Sequence, residues 1–242
     1  MNVLIACEES QEVCKAFRAK GHRAFSADIQ ECSGGHPEWH IVGDVTPLLN
    51  GNCQFILQNR ERERQDGRWD LIIAHPPCTD LAVSGARHFE KKRADGRQRA
   101  AIEFFCQFLN IDCDRVCIEN PVNIISGGYV QKWYPELAEK YGLPVKPAQT
   151  ISPHMFGSKT RKKTNYWLKG LPELQPTNIV EPEIRSYTYA DGRVRTYSAD
   201  FCMGKGSHSG KVRSKTYKGI AVAMAEQWGE SDFTPVQLSF FE

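Results

Sequence analysis

Seven short apolar runs set the fold this chain can adopt. They cover residues 2–6, 23–27, 40–42, 69–74, 115–118, 147–151 and 164–168, and most end beside a polar or charged residue. Between them lie stretches with a helical period. Val13, Ala16 and Phe17 share one face that stops at Gly21, and Ile102, Phe105 and Leu109 share another. Residues 131–141 and 215–228 also read as helix. Strands that alternate with helices pair in parallel, because a helical crossover returns the chain in its original direction. The expected fold class is therefore α/β: a seven-stranded, mostly parallel, Rossmann-like sheet with helices on both faces.

At 242 residues, with 40% hydrophobic and 25% charged side chains, the chain can bury one full core. A net charge of +2 does not suit a strongly basic nucleic-acid binder, so any such contact must come from local patches. No run approaches the roughly 20 apolar residues of a membrane span. The opening MNVLIACEES has no basic region before its apolar run, which argues against a signal peptide and for a cytoplasmic place. Nine cysteines, an odd number without close pairs, fit reduced thiols.

Several stretches read less regularly. The charged run NRERERQDGR (59–68) reads as a solvated helix end or loop, and residues 80–97 as a loop. Residues 171–185, rich in proline and glutamate, leave the core. RSYTYADGRVRTYSAD (185–200) alternates around Asp191-Gly192, a hairpin signal. Its Tyr187, Tyr189 and Tyr197 form either a packing face or base-stacking platforms.

The chemistry begins where strands end. WDLIIAHPPCTDLAVSG (69–85) is an apolar run that stops at His75-Pro76-Pro77-Cys78. Proline cannot donate to a ladder, so the pair ends the strand and presents Cys78 on a stiff turn. That end of an α/β sheet is where ligands bind. Glu119 ends the next strand, so thiol and carboxyl should lie side by side as a nucleophile and its partner. Glu8, Asp28 and Asp44 follow the first three strands, as acids that bond a ribose or an adenine amine do. The first turn, ACEESQ, lacks the glycines a pyrophosphate needs, which disfavours NAD and FAD over S-adenosylmethionine. Cys32, His36 and His40 have zinc-like spacing without an evident fourth ligand, so no metal site is expected. Cys113 and Cys117 read as core thiols. His75 orients a thiolate or substrate, or fills a turn.

AHPPCT followed by IENP resembles the DNA cytosine carbon-5 methyltransferases, with their Pro-Cys dipeptide and Glu-Asn-Val tripeptide. Gly43-Asp44-Val45 resembles the family's Gly-Asp element. Phe156-Gly157, Arg161-Lys162-Lys163 and Tyr166–Gly170 resemble its "FG…R.R…VG" element, and Tyr217–Ala223 its closing helix. The family's glycine before Pro-Pro-Cys is His75 here, and Pro121 replaces its valine. The resemblance implies a core of residues 1–170 and 210–228, a reduced target-recognition region at 171–209 and a tail at 229–242.

It also implies the reaction. Cys78 is the nucleophile on carbon 6 of cytosine, Glu119 contacts ring N3 and the exocyclic amine, and Arg161 steadies the base carbonyl. S-adenosylmethionine would rest on Ala6, Cys7, Glu8, Asp28, Ile29, Asp44, Val45 and Pro76. DNA, with its target base flipped out, would meet Arg185, Arg193, Arg195, Lys205 and Lys211. The rival readings are a free pyrimidine nucleotide as substrate, and a degenerate homologue that only binds nucleic acid or a replication partner. So compact a member fits a phage or prophage gene, with restriction–modification as one setting. In the tail, Gln237, Leu238, Phe240 and Phe241 of QLSFF either fold back onto the core or resemble a peptide that binds the bacterial sliding clamp.

Overall fold

The computed structural model describes residues 1–198, 215–230 and 239–241. Strands β1 (Asn2–Ala6), β2 (Arg23–Asp28), β3 (His40–Val42), β4 (Cys53–Ile56), β5 (Arg62–Gln65), β6 (Leu71–Ala74), β7 (Val116–Pro121), β8 (Gln149–Ile151) and β9 (Thr164–Lys169) come first. Seven of them form one sheet in the order β3-β2-β1-β6-β7-β9-β8, and β4 and β5 pair apart from it. Every pair from β3 across to β7 is parallel, while β9 is antiparallel to both its neighbours. The expected seven-stranded, mostly parallel α/β sheet is thus present.

Alternation along each central strand sends side chains to two cores. Val3, Ile5, Leu71 and Ile73 face one side, where α1 (Glu12–Ala19) brings Val13 and Phe17. Leu4, Ala6, Ile72 and Ala74 face the other. There α2 (Phe89–Ala94) brings Phe89, and α3 (Arg97–Leu109) brings Ile102, Phe105 and Leu109. Two short helices, α4 (Tyr129–Trp133) and α5 (Pro135–Tyr141), extend that second layer, and α6 (Lys218–Gln227) packs beside α1. Each fully buried aliphatic side chain contributes about 1.5–3 kcal/mol. Helix α1 stops where Gly21 turns to φ +83° and returns its N–H to Arg18.

Four expectations are corrected. Residues 59–68 are not a helix end or simple loop, because Arg62–Gln65 is the second strand of a hairpin. There Arg23 reaches the carboxylate of Glu63 at 2.8 Å and the amide of Gln65 at 2.9 Å. Residues 80–97 hold a single 3-10 segment, Val83–His88, and then α2. The helix expected at 131–141 is broken at Pro135, which lacks the N–H a continuous helix would use. The hairpin at 185–200 is present as β10 (Ile184–Thr188) and β11 (Val194–Ser198), but Tyr187 and Tyr189 remain exposed and pack on each other rather than on the core.

Segment 171–185 leaves the sheet as expected, with Leu171 and Leu174 still buried. In the tail, Phe240 packs into the second core at 6% exposure, and Phe241 lies against Gly142. This is the folded-back reading for that residue. Gln237 and Leu238 lie outside the described residues, as do Lys205 and Lys211.

Gly219 opens α6 against the backbone of Phe156, where an added Cβ would sit 1.8 Å from the carbonyl oxygen. Gly219→Ala should destabilise the protein by about 1–3 kcal/mol in urea unfolding. Gly127→Ala, with nothing within 4 Å of its Cβ position, should cost far less.

Candidate functional site

The sheet order reverses at β1, with β2 on one side and β6 on the other. The crevice outside the carboxyl ends of such strands is where open α/β sheets bind ligands. At this rim the His75 amide bonds the Ala6 carbonyl at 2.9 Å, which carries β6 one residue further. Pro76 and Pro77 follow without donors, and Asn120 holds the turn from β7, its Nδ2 donating to the Pro76 carbonyl at 2.7 Å. Asn123 in turn donates to Oδ1 of Asn120 at 2.9 Å. The Cys78 carbonyl accepts from the amides of Leu81 and Ala82. Lys92 of α2 is buried, donates to the Thr79 carbonyl and pairs with Asp80 at 3.2 Å. Cys78 is thus a half-buried thiol on a turn pinned from three directions.

Four other thiols are fully buried. Burial pushes Cys106 up to about 12 and Cys113 to about 11, and raises Cys14 and Cys117 as well. Such thiols stay protonated and inert. All eight described cysteines are free of disulfides.

Glu119 lies beside this turn, because Ala74 and Ile118 are register partners. His75 Nδ1 donates to Glu119 Oε2 at 3.1 Å, with the side chains only 10% and 17% exposed. Burial opposes the charged imidazole, but Glu119 and then Glu8 outweigh it and raise its pKa. Burial lifts Glu8 to about 7, against the pull of His75 and of two helix amides. Those amides, of Val13 and Cys14, donate to its two oxygens at 2.7 and 3.2 Å. The start of α1 is therefore capped internally, and amides that a phosphate would need there are already used.

Arg161 is exposed, and its amide bonds Ser198 of β11. Its neighbour Lys162 acts on His75, opposing its protonation. Sequence reasoning chose Arg161 from the family pattern and did not single out Lys162. Asn120 stood in the IENP motif without an assigned role, and Asn123 was not singled out.

On the other side of β1, the acids expected to hold a nucleoside converge. Cys7 sits at φ +60°, and its thiol is raised by burial, then by Asp28 and Asp44. Each acid also caps a turn, Asp28 accepting from Gln30 N and Asp44 from Thr46 N at 2.9 Å. Ile29 is 79% exposed beside them, an apolar surface at the rim. Ala6, Val45 and Pro76 are buried and offer backbone only.

His36 stacks on Trp39, and His40 is bonded at both ring nitrogens, to Ser26 and Gln30. Among the described residues no group of three potential ligands gathers for a metal. The hairpin arginines are partly neutralised, Arg185 by Glu183 at 3.0 Å and Arg193 by Asp191 at 2.7 Å. Arg195 is exposed. Two surface concavities lie away from the rim: one of about 670 Å³ lined by Pro144, Trp167 and Phe240, one of about 550 Å³ lined by Arg18, His36 and Trp39. Bonding and strand topology, not concavity, mark the site. No helix among the described residues is long and apolar enough to cross a membrane.

No family model matches the chain. No curated protein matches it either. Among solved structures it is similar to an Escherichia coli protein described as a candidate DNA modification methyltransferase encoded within a prophage. The two are 14% identical with a TM-score of 0.44, over 75% of this chain and 52% of that one. The chain thus spans about half the length of that protein.

The rim also predicts a pH dependence. Glu8 rises from an ordinary 4.5 to about 7, so the folded state holds a proton the unfolded state has lost. That contribution is present below 4.5 and falls away as pH climbs to about 7, a loss of at most about 3 kcal/mol. Glu8→Gln should flatten the decline of the unfolding free energy over this window. Parallel wild-type and variant curves would show that Glu8 does not titrate there.

Proposed function

We propose that the chain transfers a methyl group from S-adenosylmethionine to carbon 5 of cytosine in DNA, through a covalent bond to Cys78. One observation supports the reading: a proline-built turn held by Asn120 carries a half-buried thiol past the end of β6, and Glu119 of the adjacent parallel strand β7 bonds His75 at the start of that turn. Carbon 5 of cytosine is a poor nucleophile. The Cys78 thiolate adds to carbon 6, the C5=C6 pair moves to C4=C5, and the C4=N3 pair settles on N3. Glu119 stabilises that charge at N3 and the exocyclic amine. Carbon 5 then takes the methyl group, its proton leaves to water, and the thiolate departs.

S-adenosylmethionine supplies an electrophilic sulfonium methyl when bound. Asp28 and Asp44 would bond its ribose and adenine, with Cys7, Glu8, Ile29 and the backbone of Ala6, Val45 and Pro76 around it. The internal cap by Glu8 suits a cofactor without phosphates. Arg161 would steady the base carbonyl. Arg195, with Arg185 and Arg193, would meet DNA phosphates. Arg87 and Lys91 are exposed on the segment whose Lys92 bonds the Thr79 carbonyl, and would add charge there. Capture by a sliding clamp would require Phe240 to leave the core.

Duplex DNA carrying 5-fluorocytosine should trap wild-type protein as a covalent adduct in the presence of S-adenosylmethionine, seen by intact mass. Cys78→Ser should form none while keeping its circular dichroism. Adduct formation by the variant, or none by the wild type, would sink the covalent mechanism. A wild-type adduct on the free nucleotide but not on duplex would reassign the substrate.

The cofactor has a separate test. Asp28→Ala should weaken S-adenosylmethionine about tenfold or more by calorimetry, as loss of a charged hydrogen bond does. Unchanged affinity would leave Asp28 as a cap for Gln30 only.

A further inference from the structure

We propose that His75 is a positioning residue for Glu119 that also stores the proton this carboxyl hands to the substrate ring. The inference rests on the cytosine reading above and assigns to a residue of this chain a task that reading leaves open. A carboxylate can accept from an exocyclic amine, but at neutral pH it has no proton for a ring nitrogen that is gaining charge. Something beside it must supply one.

His75 meets the geometric demands. Its Nδ1 lies 3.1 Å from Glu119 Oε2, and both side chains are largely buried. Its amide is fixed to the Ala6 carbonyl of β1, so its backbone is held in register with the sheet beside Glu119. Its Nε2 is buried and has no hydrogen-bond partner among the described residues, which leaves the Glu119 bond as the anchor of the ring.

The charges around it favour the imidazolium. Glu119 faces it from β7, Glu8 from the turn after β1, and Lys162 from the segment before β9. Two carboxylates oppose one ammonium, and the balance raises the pKa of His75 in spite of burial. Tyr166, opposite Glu119 on β9, and Cys117 on β7 are both buried with pKa values raised well above ordinary, so neither competes for the proton.

The step balances. As the thiolate adds to carbon 6, a proton passes from His75 Nδ1 to Glu119 and from the Glu119 carboxyl to ring N3. His75 ends neutral and Glu119 ends ionised, as it began. When carbon 5 takes the methyl and C4=N3 re-forms, the N3 proton returns by the same path. No electrons move beyond those of the ring and the two bonds already named.

His75→Gln keeps a donor for Glu119 but removes the proton store. Adduct formation on 5-fluorocytosine duplex should be followed in single turnover across pH. The wild type should slow as pH rises through the raised His75 value. The variant should bind DNA and S-adenosylmethionine normally, form adduct roughly a hundredfold more slowly, and lack that high-pH limb. A variant with the wild-type rate and profile overturns the proposal. Nitrogen-15 imidazole NMR of the full chain tests the pair without turnover. Glu119→Gln should lower the midpoint of His75, and an unchanged midpoint also overturns it. A wild type that forms no adduct at any pH fails the cytosine reading instead, and the NMR arm still decides whether His75 and Glu119 titrate as a pair.

Discussion

Two adjacent prolines cannot donate a backbone hydrogen bond, so the turn they make must be held from outside. Here the holder is Asn120, at 2.7 Å from the Pro76 carbonyl. Because Asn120 belongs to β7, the turn after β6 is referenced to its neighbouring strand rather than to itself. The segments beyond both strands then zip together, through Val83 to Val122 and Ile124 to Leu81. Thiol, carboxyl and the loop between them become one rigid unit. Strain that loosens the asparagine would be felt first at Cys78.

The same rim concentrates charge where three parallel strands stop. Glu8 and His75 follow β1 and β6, and Glu119 lies inside β7 near its carboxyl end; the three strands are successive in the sheet. Their alternation is acid, base, acid, so each buried charge has an opposite neighbour. Buried ionic groups are tolerable only when so arranged. Glu8 has a second task, closing the first turn of α1. A glycine-rich turn would leave those amides for a ligand phosphate; this chain spends them on its own carboxylate. The consequence is a first turn with those two amides already bonded, which leaves them unavailable to the phosphates of a dinucleotide.

Much of the framework was legible in the sequence, because burial on both faces makes strands read as short apolar runs. Of the seven sheet strands, β1 and β3 were placed at their observed bounds and the rest within a few residues; β4 of the hairpin was not placed. The charged hairpin strand at Arg62–Gln65 was not, since its alternation of arginine and glutamate carries no apolar signal. What fixes it is pairing with Cys53–Ile56 and the reach of Arg23. Helix α2 was hidden for a similar reason: its anchor is a buried lysine, Lys92, whose packing depends on Asp80 and a backbone carbonyl. At the site, the strand ends named Cys78, Glu119, Asp28 and Asp44. The pairings among them were not legible, because His75 and Pro76 meet Glu119 and Asn120 across 44 residues of chain.

The rim is also where the chain departs from the rules that stabilise folds. Glu8 is held above its ordinary pKa by burial. His75 keeps a buried nitrogen without a partner, and Glu9 is buried with neither carboxylate oxygen bonded among the described residues. An unmet buried polar group costs about 1–3 kcal/mol, and an unpaired charge more. A glycine at residue 75 would remove one such cost, and the stiff turn at Pro76 and Pro77 would survive it. The two cores beneath can carry the burden, since Trp167, Trp228 and Phe17 are almost fully enclosed. Local violations of this kind gather at functional sites, where preorganised charge is worth more than the stability it removes. The proposed role of the imidazole at residue 75 gives that cost a reason, since its ring bonds Glu119.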